Sequence, residues 1–232
     1  MKFFDSIIHD VLNLISEFPK TSYKHNEKEA WSDVGCNQVV LQRDCAFELN
    51  GTGFNLVTSS LVEDEITVIG DDLDNIGGNR KFARISIIQI EDEADEQKAH
   101  NLIKKIEYVK YHCFPDGYMM RTSSTSQNEA VRVAKHAVKS GIDFVKVGNL
   151  LINKYKEIDR VRGVKIIFIT APDADFSSLS EYARKSNEIT KTLNHVMNSV
   201  NFDCNTCNLR AVCDEVEGMR ELHFGKMSSQ GE

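Results

Sequence analysis

Hydrophobic side chains recur every three or four residues in several stretches of the chain, which is the spacing of one face of an α-helix. Near the start, the apolar positions between Phe4 and Ile15 follow this spacing, and those between Leu179 and Val196 follow it again. The pattern predicts amphipathic helices over about residues 3–17, 95–112, 143–157 and 177–199.

Short apolar runs rich in β-branched residues lie between these helical stretches and predict strands. The clearest run is Phe82–Ile90, which alternates at first and is fully apolar at Ile87 and Ile88. The other predicted strands are Val39–Leu41, Ala46–Leu49, Ile66–Ile69, Tyr118–Thr122 and Gly163–Thr170.

Local signals predict two further elements. The segment Asn50–Gly53 contains two glycines and predicts a turn directly after the strand Ala46–Leu49. The serines and threonine of Ser124–Ser126 are candidate N-caps for another helix, which would end near Gly141. The apolar positions of that helix are Ala130, Val133, Ala134 and Ala137.

The order of these elements indicates the fold class. A β-rich stretch followed by alternating helices and strands is typical of an α/β or α+β fold with helices packed on a mixed sheet. We therefore predict an N-terminal helix and one α/β domain over residues 1–200. Residues 201–232 are predicted to form a separate, cysteine-rich C-terminal segment.

The charge balance narrows the range of partners. Among 232 residues, 28 are Lys or Arg and 35 are Asp or Glu, so the net charge is −7. Because nucleic-acid binding relies on Lys and Arg to neutralise phosphates, this balance argues against a nucleic-acid partner. No apolar run is long enough to span a bilayer, and Asp5, His9 and Asp10 interrupt any signal peptide. We therefore expect a cytoplasmic protein that is not bound to a membrane.

Three of the six cysteines crowd into the last thirty residues. Cys204, Cys207 and Cys213 have the spacing C-x2-C-x5-C, and His223 follows ten residues later. In a reducing compartment such closely spaced thiols are typical of metal ligands. They suit an iron–sulfur cluster or zinc, and both usually take four ligands. His223, a distant cysteine or an exogenous ligand would supply the fourth, unless the three are ordinary thiols.

The sequence lacks several motifs of common enzymes. It contains no G-x-S-x-G, no G-x-x-x-x-G-K-[ST], no G-x-G-x-x-G and no H-E-x-x-H. Nothing in the sequence therefore indicates a hydrolase, a P-loop NTPase or a dinucleotide enzyme.

Several segments, read in order, resemble a known family. Ala46–Leu49 (AFEL), Val62–Asp74 (VEDEITVIGDDLD) and Gly77–Asn79 (GGN) resemble successive motifs in the middle domain of the CO dehydrogenase/acetyl-CoA synthase β subunit. The resemblance continues through Tyr118–Thr122 and the strand at 164–170, and it covers about residues 38–171. Each match is short, and their shared order carries the resemblance.

The resemblance implies a fold, partners and a metal site. In the family this domain is a mixed α/β module implicated in ferredoxin contact and CoA handling, and a domain with a nickel–iron–sulfur cluster follows it. Cys204, Cys207 and Cys213 stand where the ligands of that cluster begin, and His223 stands where a fourth cysteine would be. The gap between the second and third cysteines is shorter here, and the C-G-C that chelates the second nickel is absent. The resemblance therefore implies a simpler cluster, 4Fe-4S, and a chain that alone lacks the full catalytic site for acetyl-CoA synthesis.

Three functions are consistent with these observations. The first is an iron–sulfur protein related to acetyl-CoA synthase, with an accessory or electron-transfer role in anaerobic one-carbon metabolism. The second is a non-catalytic module that docks a ferredoxin, a corrinoid protein or a synthase-like subunit, with cysteines that bind zinc or nothing. The third is an enzyme whose CoA cleft uses Arg121, although an arginine at a strand end is more often an ion-pair partner.

Overall fold

A mixed β-sheet with helices on both faces forms the body of the protein, which confirms the predicted α/β class. The computed structural model describes residues 2–35, 44–91, 96–123, 127–198, 207, 209–216, 218, 219 and 222. The strands are β1 (Thr21–Lys24), β2 (Cys45–Thr58), β3 (Glu65–Ile69), β4 (Arg80–Ile90), β5 (Tyr118–Thr122), β6 (Asn128–Ala134) and β7 (Val161–Ile169). The helices are α1 (Asp5–Leu14), α2 (Glu96–His112), α3 (Lys135–Lys139), α4 (Phe144–Lys156), α5 (Phe176–Asn198) and α6 (Arg210–Glu215), and Glu27–Glu29 form a short 3-10 helix.

The strands of the sheet lie in the order β1-β3-β7-β4-β2-β6-β5. Two pairs are parallel, β3 with β7 and β2 with β4, and the other pairs are antiparallel. Strands β4 and β7 lie inside the sheet, and their side chains are mostly buried on both faces. Burial on both faces explains why these two strands are recognisable in the sequence as nearly continuous apolar runs.

Neighbouring side chains of β4 show which helices cover each face of the sheet. Phe82 stacks on Phe144 of α4, with ring centroids 5.9 Å apart. The ammonium group of Lys81 lies 5.9 Å from the ring centroid of Phe176 in α5. Because successive residues of a strand point to opposite faces, α4 and α5 cover opposite sides of the sheet. The C-terminal half of α2 lies on the α4 side, since Asn55 contacts both the Ile106 carbonyl of α2 and the Tyr155 hydroxyl of α4.

The four helices predicted from periodicity are confirmed as α1, α2, α4 and α5, with ends shifted by a few residues. In α2 the predicted apolar face is buried, as amphipathic packing requires. Its members are Ala99, Leu102, Ile103, Ile106 and Val109. The predicted strand Val39–Leu41 lies outside the described residues.

The predicted turn at Asn50–Gly53 is wrong, because β2 runs without a break from Cys45 to Thr58. The two glycines serve close packing within the sheet and do not form a turn. A Cβ on Gly51 would stand 1.7 Å from the Phe82 carbonyl oxygen of the neighbouring strand. Here glycine marks a close approach of two backbones, which is a known role of glycine in strands.

The predicted helix with Ala130, Val133, Ala134 and Ala137 on one face is also wrong. Asn128–Ala134 form strand β6, and only Lys135–Lys139 are helical. Along β6 the buried residues alternate, and they include the charged Glu129. The predicted end near Gly141 is confirmed, since Gly141 has φ of +79° just after α3. The candidate caps Ser124–Ser126 lie outside the described residues.

Candidate functional site

A fully buried ion pair joins β4 to β6. The side chains of Arg84 and Glu129 are both 0% exposed. Arg84 Nε and Nη2 donate hydrogen bonds to the two carboxylate oxygens of Glu129 at 2.9 and 2.6 Å, and Nη1 donates to Ser86 Oγ at 2.7 Å. Thr122 Oγ1 of β5 donates to the same carboxylate at 3.0 Å. Charge-assisted hydrogen bonds, which are stronger than neutral ones, therefore tie three strands together.

Gly53 leaves the space in which this ion pair forms. Strand β2 lies between β4 and β6, so the side chains of Arg84 and Glu129 meet across it. A Cβ on Gly53 would stand 2.0 Å from a carboxylate oxygen of Glu129. Any other residue at this position would displace the carboxylate.

Burial and charge fix the protonation states of two groups in this region. Burial alone would lower the pKa of Arg84, but the charge and hydrogen bonds of Glu129, together with Tyr155 and Tyr118, outweigh burial and raise this pKa. Burial raises the pKa of Tyr155 to about 12, and its hydroxyl donates to Asn55 Oδ1 at 2.8 Å. Arg84 is therefore charged and Tyr155 neutral at neutral pH, as expected of groups that hold structure and exchange no protons.

Beside this buried pair, one face of the sheet is open to solvent near the β5 edge. Cross-strand pairing places Met119 opposite Arg132, Arg121 opposite Ala130, and Glu48 opposite Arg132. We call this surface the open face. It consists of Glu48, Asn50, Met119, Arg121, Ala130 and Arg132, each at least partly exposed.

The charges of the open face are mainly positive. Arg132 Nε lies 2.6 Å from a Glu48 carboxylate oxygen, and these two side chains are about one-third exposed. Arg121 is exposed and makes no ion pair with any residue that the structure describes. An arginine at a strand end is more often an ion-pair partner, but Arg121 forms no ion pair within the described part of the chain. Its predicted role in CoA binding stays a prediction.

Of the predicted metal ligands, two lie in the described residues. Neither Cys207 nor Cys213 forms a disulfide with a described residue, and both are partly exposed. Cys213 lies in α6, and the Cys207 carbonyl accepts a hydrogen bond from the Arg210 amide at the start of that helix. Cys204 and His223 lie outside the described residues. Within the part of the chain that is described, no three His, Cys, Asp or Glu side chains come together as metal ligands.

The described part of the C-terminal segment packs against the α/β body. Met219 and Leu222 are buried and belong to the same hydrophobic cluster as the sheet and its helices. Val212, Cys213 and Val216 pack against that cluster. The predicted division at residue 200 stays a prediction, but these contacts hold the segment of Cys207 and Cys213 on the body of the protein.

The fold and the open face define the class of this protein. It is a mixed α/β module in which part of one sheet face is exposed to solvent. The family model of the CO dehydrogenase/acetyl-CoA synthase complex beta subunit matches residues 36–174, which is more than half of the chain. The chain belongs to this family, as its sequence motifs predicted. A search of curated proteins gives no significant match.

Among the described helices, none combines the length and apolar character needed to cross a bilayer.

Sequence reasoning missed the buried pair, although one signal was present. Arg84 is the charged residue in the mainly apolar run Phe82–Ile90, and a charged residue inside a mostly buried strand needs a partner. Glu129 gave no such signal, because its neighbours suggested a helix. The partner of Arg84 is 45 residues away and became visible only in the folded sheet.

Proposed function

We propose that this chain is a docking module of a CO dehydrogenase/acetyl-CoA synthase-type complex, and that its open face binds an acidic redox partner. The observation that carries this proposal is the exposed Arg121, which has no ion pair within the described residues. A protein of this family is the beta subunit of a complex. The partner we propose is a ferredoxin, with a corrinoid protein or a synthase-like subunit as the alternatives.

The charge of the open face supports an acidic partner. The chain as a whole carries a net charge of −7, yet the open face has two arginines, Arg121 and Arg132, and only one carboxylate, Glu48. Lys81 extends the positive surface, since it lies opposite Asn50 on the neighbouring strand. Such complementary charges speed association and exclude partners of the wrong sign.

The proposal is tested by charge reversal at Arg121. We expect Arg121→Glu to weaken binding of a purified ferredoxin from the same organism by about tenfold at low salt, because it places like charges together. The matched control is Arg184→Glu on α5, where the arginine is also exposed but is paired with Glu188. Calorimetry at two salt concentrations measures both variants, and the wild-type affinity should fall as salt rises.

Equal affinity of the Arg121→Glu and Arg184→Glu variants would overturn the proposal for the ferredoxin. The same two variants titrated with a corrinoid protein separate the alternative partners. Titration with CoA tests the third sequence hypothesis, which requires CoA binding that Arg121→Ala abolishes.

For electron transfer we further propose that Cys204, Cys207 and Cys213 hold a 4Fe-4S cluster, with His223 as the fourth ligand. The spacing of the cysteines and their position after the family domain support this proposal, as does the partial exposure of Cys207 and Cys213. When bound, such a cluster supplies one-electron redox chemistry. Zinc is the alternative metal.

Anaerobic reconstitution with iron and sulfide tests the cluster. We expect close to four irons and four sulfides per chain, with the absorption and EPR spectra of the cluster, and a large loss in Cys204→Ser and Cys213→Ser. Cys45→Ser is the matched control, because Cys45 is also a partly exposed free thiol but lies in β2. Iron near zero, or zinc bound in its place, would refute the cluster while leaving the docking proposal standing.

A further inference from the structure

A second candidate site lies on the α2–α4 side of the sheet, away from the open face. It is a groove of about 700 Å³ between the C-terminal half of α2 and the end of α4. This volume lies in the range of small-molecule sites. The groove is lined by Lys104, Lys105, Tyr108, Val109, His112, Lys154, Glu157, Ile158 and Asp159.

Tyr108 forms a flat, fixed surface in this groove. The His112 ring stacks on Tyr108 with centroids 3.3 Å apart and planes 8° from parallel. His112 Nδ1 donates to the Tyr108 carbonyl oxygen at 3.0 Å, and Phe114 meets the His112 ring edge-on. Although His112 covers one face of its ring, Tyr108 is 59% exposed. The Tyr108 ring is therefore largely exposed at the groove and is held in place by His112.

Positive charge lies one helical turn from this ring. Lys104 and Lys105 are exposed and form no ion pair with any carboxylate in the described part of the chain. By contrast, Lys154 is held by Asp33 at 3.2 Å and by Glu157 at 3.3 Å. Two adjacent cations without a counter-charge favour an anion at the α2 wall of the groove.

We propose that this groove binds a purine nucleotide, with the base stacked on Tyr108 and the phosphates at Lys104 and Lys105. A stacking surface beside uncompensated lysines fits a ligand that is planar and uncharged at one end and anionic at the other. The α4 side contributes Glu157 and Asp159, whose carboxylates accept hydrogen bonds from ribose hydroxyls or base amino groups. These carboxylates also disfavour a ligand that is negative along its whole length, such as a nucleic-acid backbone.

Calorimetry with ADP, adenosine and pyrophosphate tests the proposal on the full chain. We expect ADP to bind at least about tenfold more tightly than adenosine or pyrophosphate, because only ADP uses both parts of the groove. Stacking of a base on an aromatic ring is worth about fivefold to 150-fold in affinity, so Tyr108→Ala should weaken ADP binding by about tenfold or more. The double change Lys104→Gln with Lys105→Gln should weaken ADP and pyrophosphate binding alike.

The controls are on the same helix. Tyr111 is 39% exposed in α2 but does not line the groove, so Tyr111→Ala should bind ADP like the wild type. Lys98→Gln removes a lysine of α2 outside the groove. ADP binding no tighter than pyrophosphate, or equal losses in Tyr108→Ala and Tyr111→Ala, would overturn the proposal. None of these variants alters Arg121, so a failure here is distinct from a failure of partner docking.

Discussion

Replacing Glu129 by glutamine removes one charge from the buried ion pair while it keeps the shape of the side chain. Arg84 would then remain cationic at 0% exposure with one acceptor oxygen where it now has two. Losing one hydrogen bond to a charged group costs about 1.5–3 kcal/mol. Leaving a buried charge without its partner brings the total loss to about 3–5 kcal/mol.

Urea unfolding of the single and double variants measures this cost. We expect Glu129→Gln and Arg84→Met each to lower the free energy of unfolding by about 3 kcal/mol or more. The double variant should lose clearly less free energy of unfolding than the two single variants added together, because neither charge is then left without its partner. The matched control is Glu48→Gln, which disrupts an ion pair of the same 2.6 Å length whose side chains are about one-third exposed.

The surface control should cost no more than about 1 kcal/mol, since water screens exposed ion pairs. If Glu129→Gln and Glu48→Gln lower the free energy of unfolding by the same amount, burial does not set the strength of these ion pairs and the reasoning fails. The reasoning would also be refuted if the loss in the double variant equalled the sum of the two single losses. Additive losses would show that Arg84 and Glu129 act independently.

Two further predictions use the same unfolding assay. Gly53→Ala should lower the free energy of unfolding by about 1–3 kcal/mol, because the added Cβ would meet the Glu129 carboxylate. Gly77→Ala is the control, because an added Cβ there would have no atom within 4 Å. It should change the free energy of unfolding by less than about 0.5 kcal/mol. The hydrogen bond to Asp44 raises the pKa of His136 above its ordinary 6.5. Its stabilising effect is therefore complete below that value and disappears as the pH rises through the folded-state pKa. His136→Gln should be less stable than the wild type at about pH 5.5 and equal to it at about pH 9, and a constant difference would contradict this.

The elements that could be predicted from the sequence are those whose pattern reflects their own burial. The helix α4 and the strand β7 show their periods directly, because each buries one face or both against the sheet. Strand β1 gave no signal, since all four of its residues are exposed at the sheet edge. Its partner in the sheet is β3, which lies far along the chain.

The two wrong predictions have a common physical cause. Gly51 and Gly53 indicate a turn locally, but their lack of a Cβ is needed for contacts with Phe82 and Glu129, which lie on other strands. In β6 buried and exposed residues alternate, but Glu129 makes this pattern hard to recognise in the sequence. A carboxylate is not expected at a buried position unless its partner is known. Both errors arise from long-range contacts that no local pattern contains.

The candidate site was predictable in part. The strand that carries Arg121 was predicted as Tyr118–Thr122 and is confirmed as β5. That Arg121 lies beside Arg132 on an open surface depends on the pairing of β5 with β6, which the sequence did not indicate. Of the predicted ligands, Cys207 and Cys213 are described and Cys204 and His223 are not, so the metal site rests on spacing and family position.

The two edges of the sheet differ in how well they resist aggregation. Strand β1 is short, polar and ends in Lys24, which is a common way to protect an edge from pairing with another molecule. At the other edge, β5 is paired on one side only within the described residues, and it carries the half-buried Met119 and Met120. Among the residues of β5, Arg121 supplies the one charge at that edge. We therefore expect the isolated chain to self-associate through β5 at high concentration, and co-expression with the proposed partner to keep it dispersed.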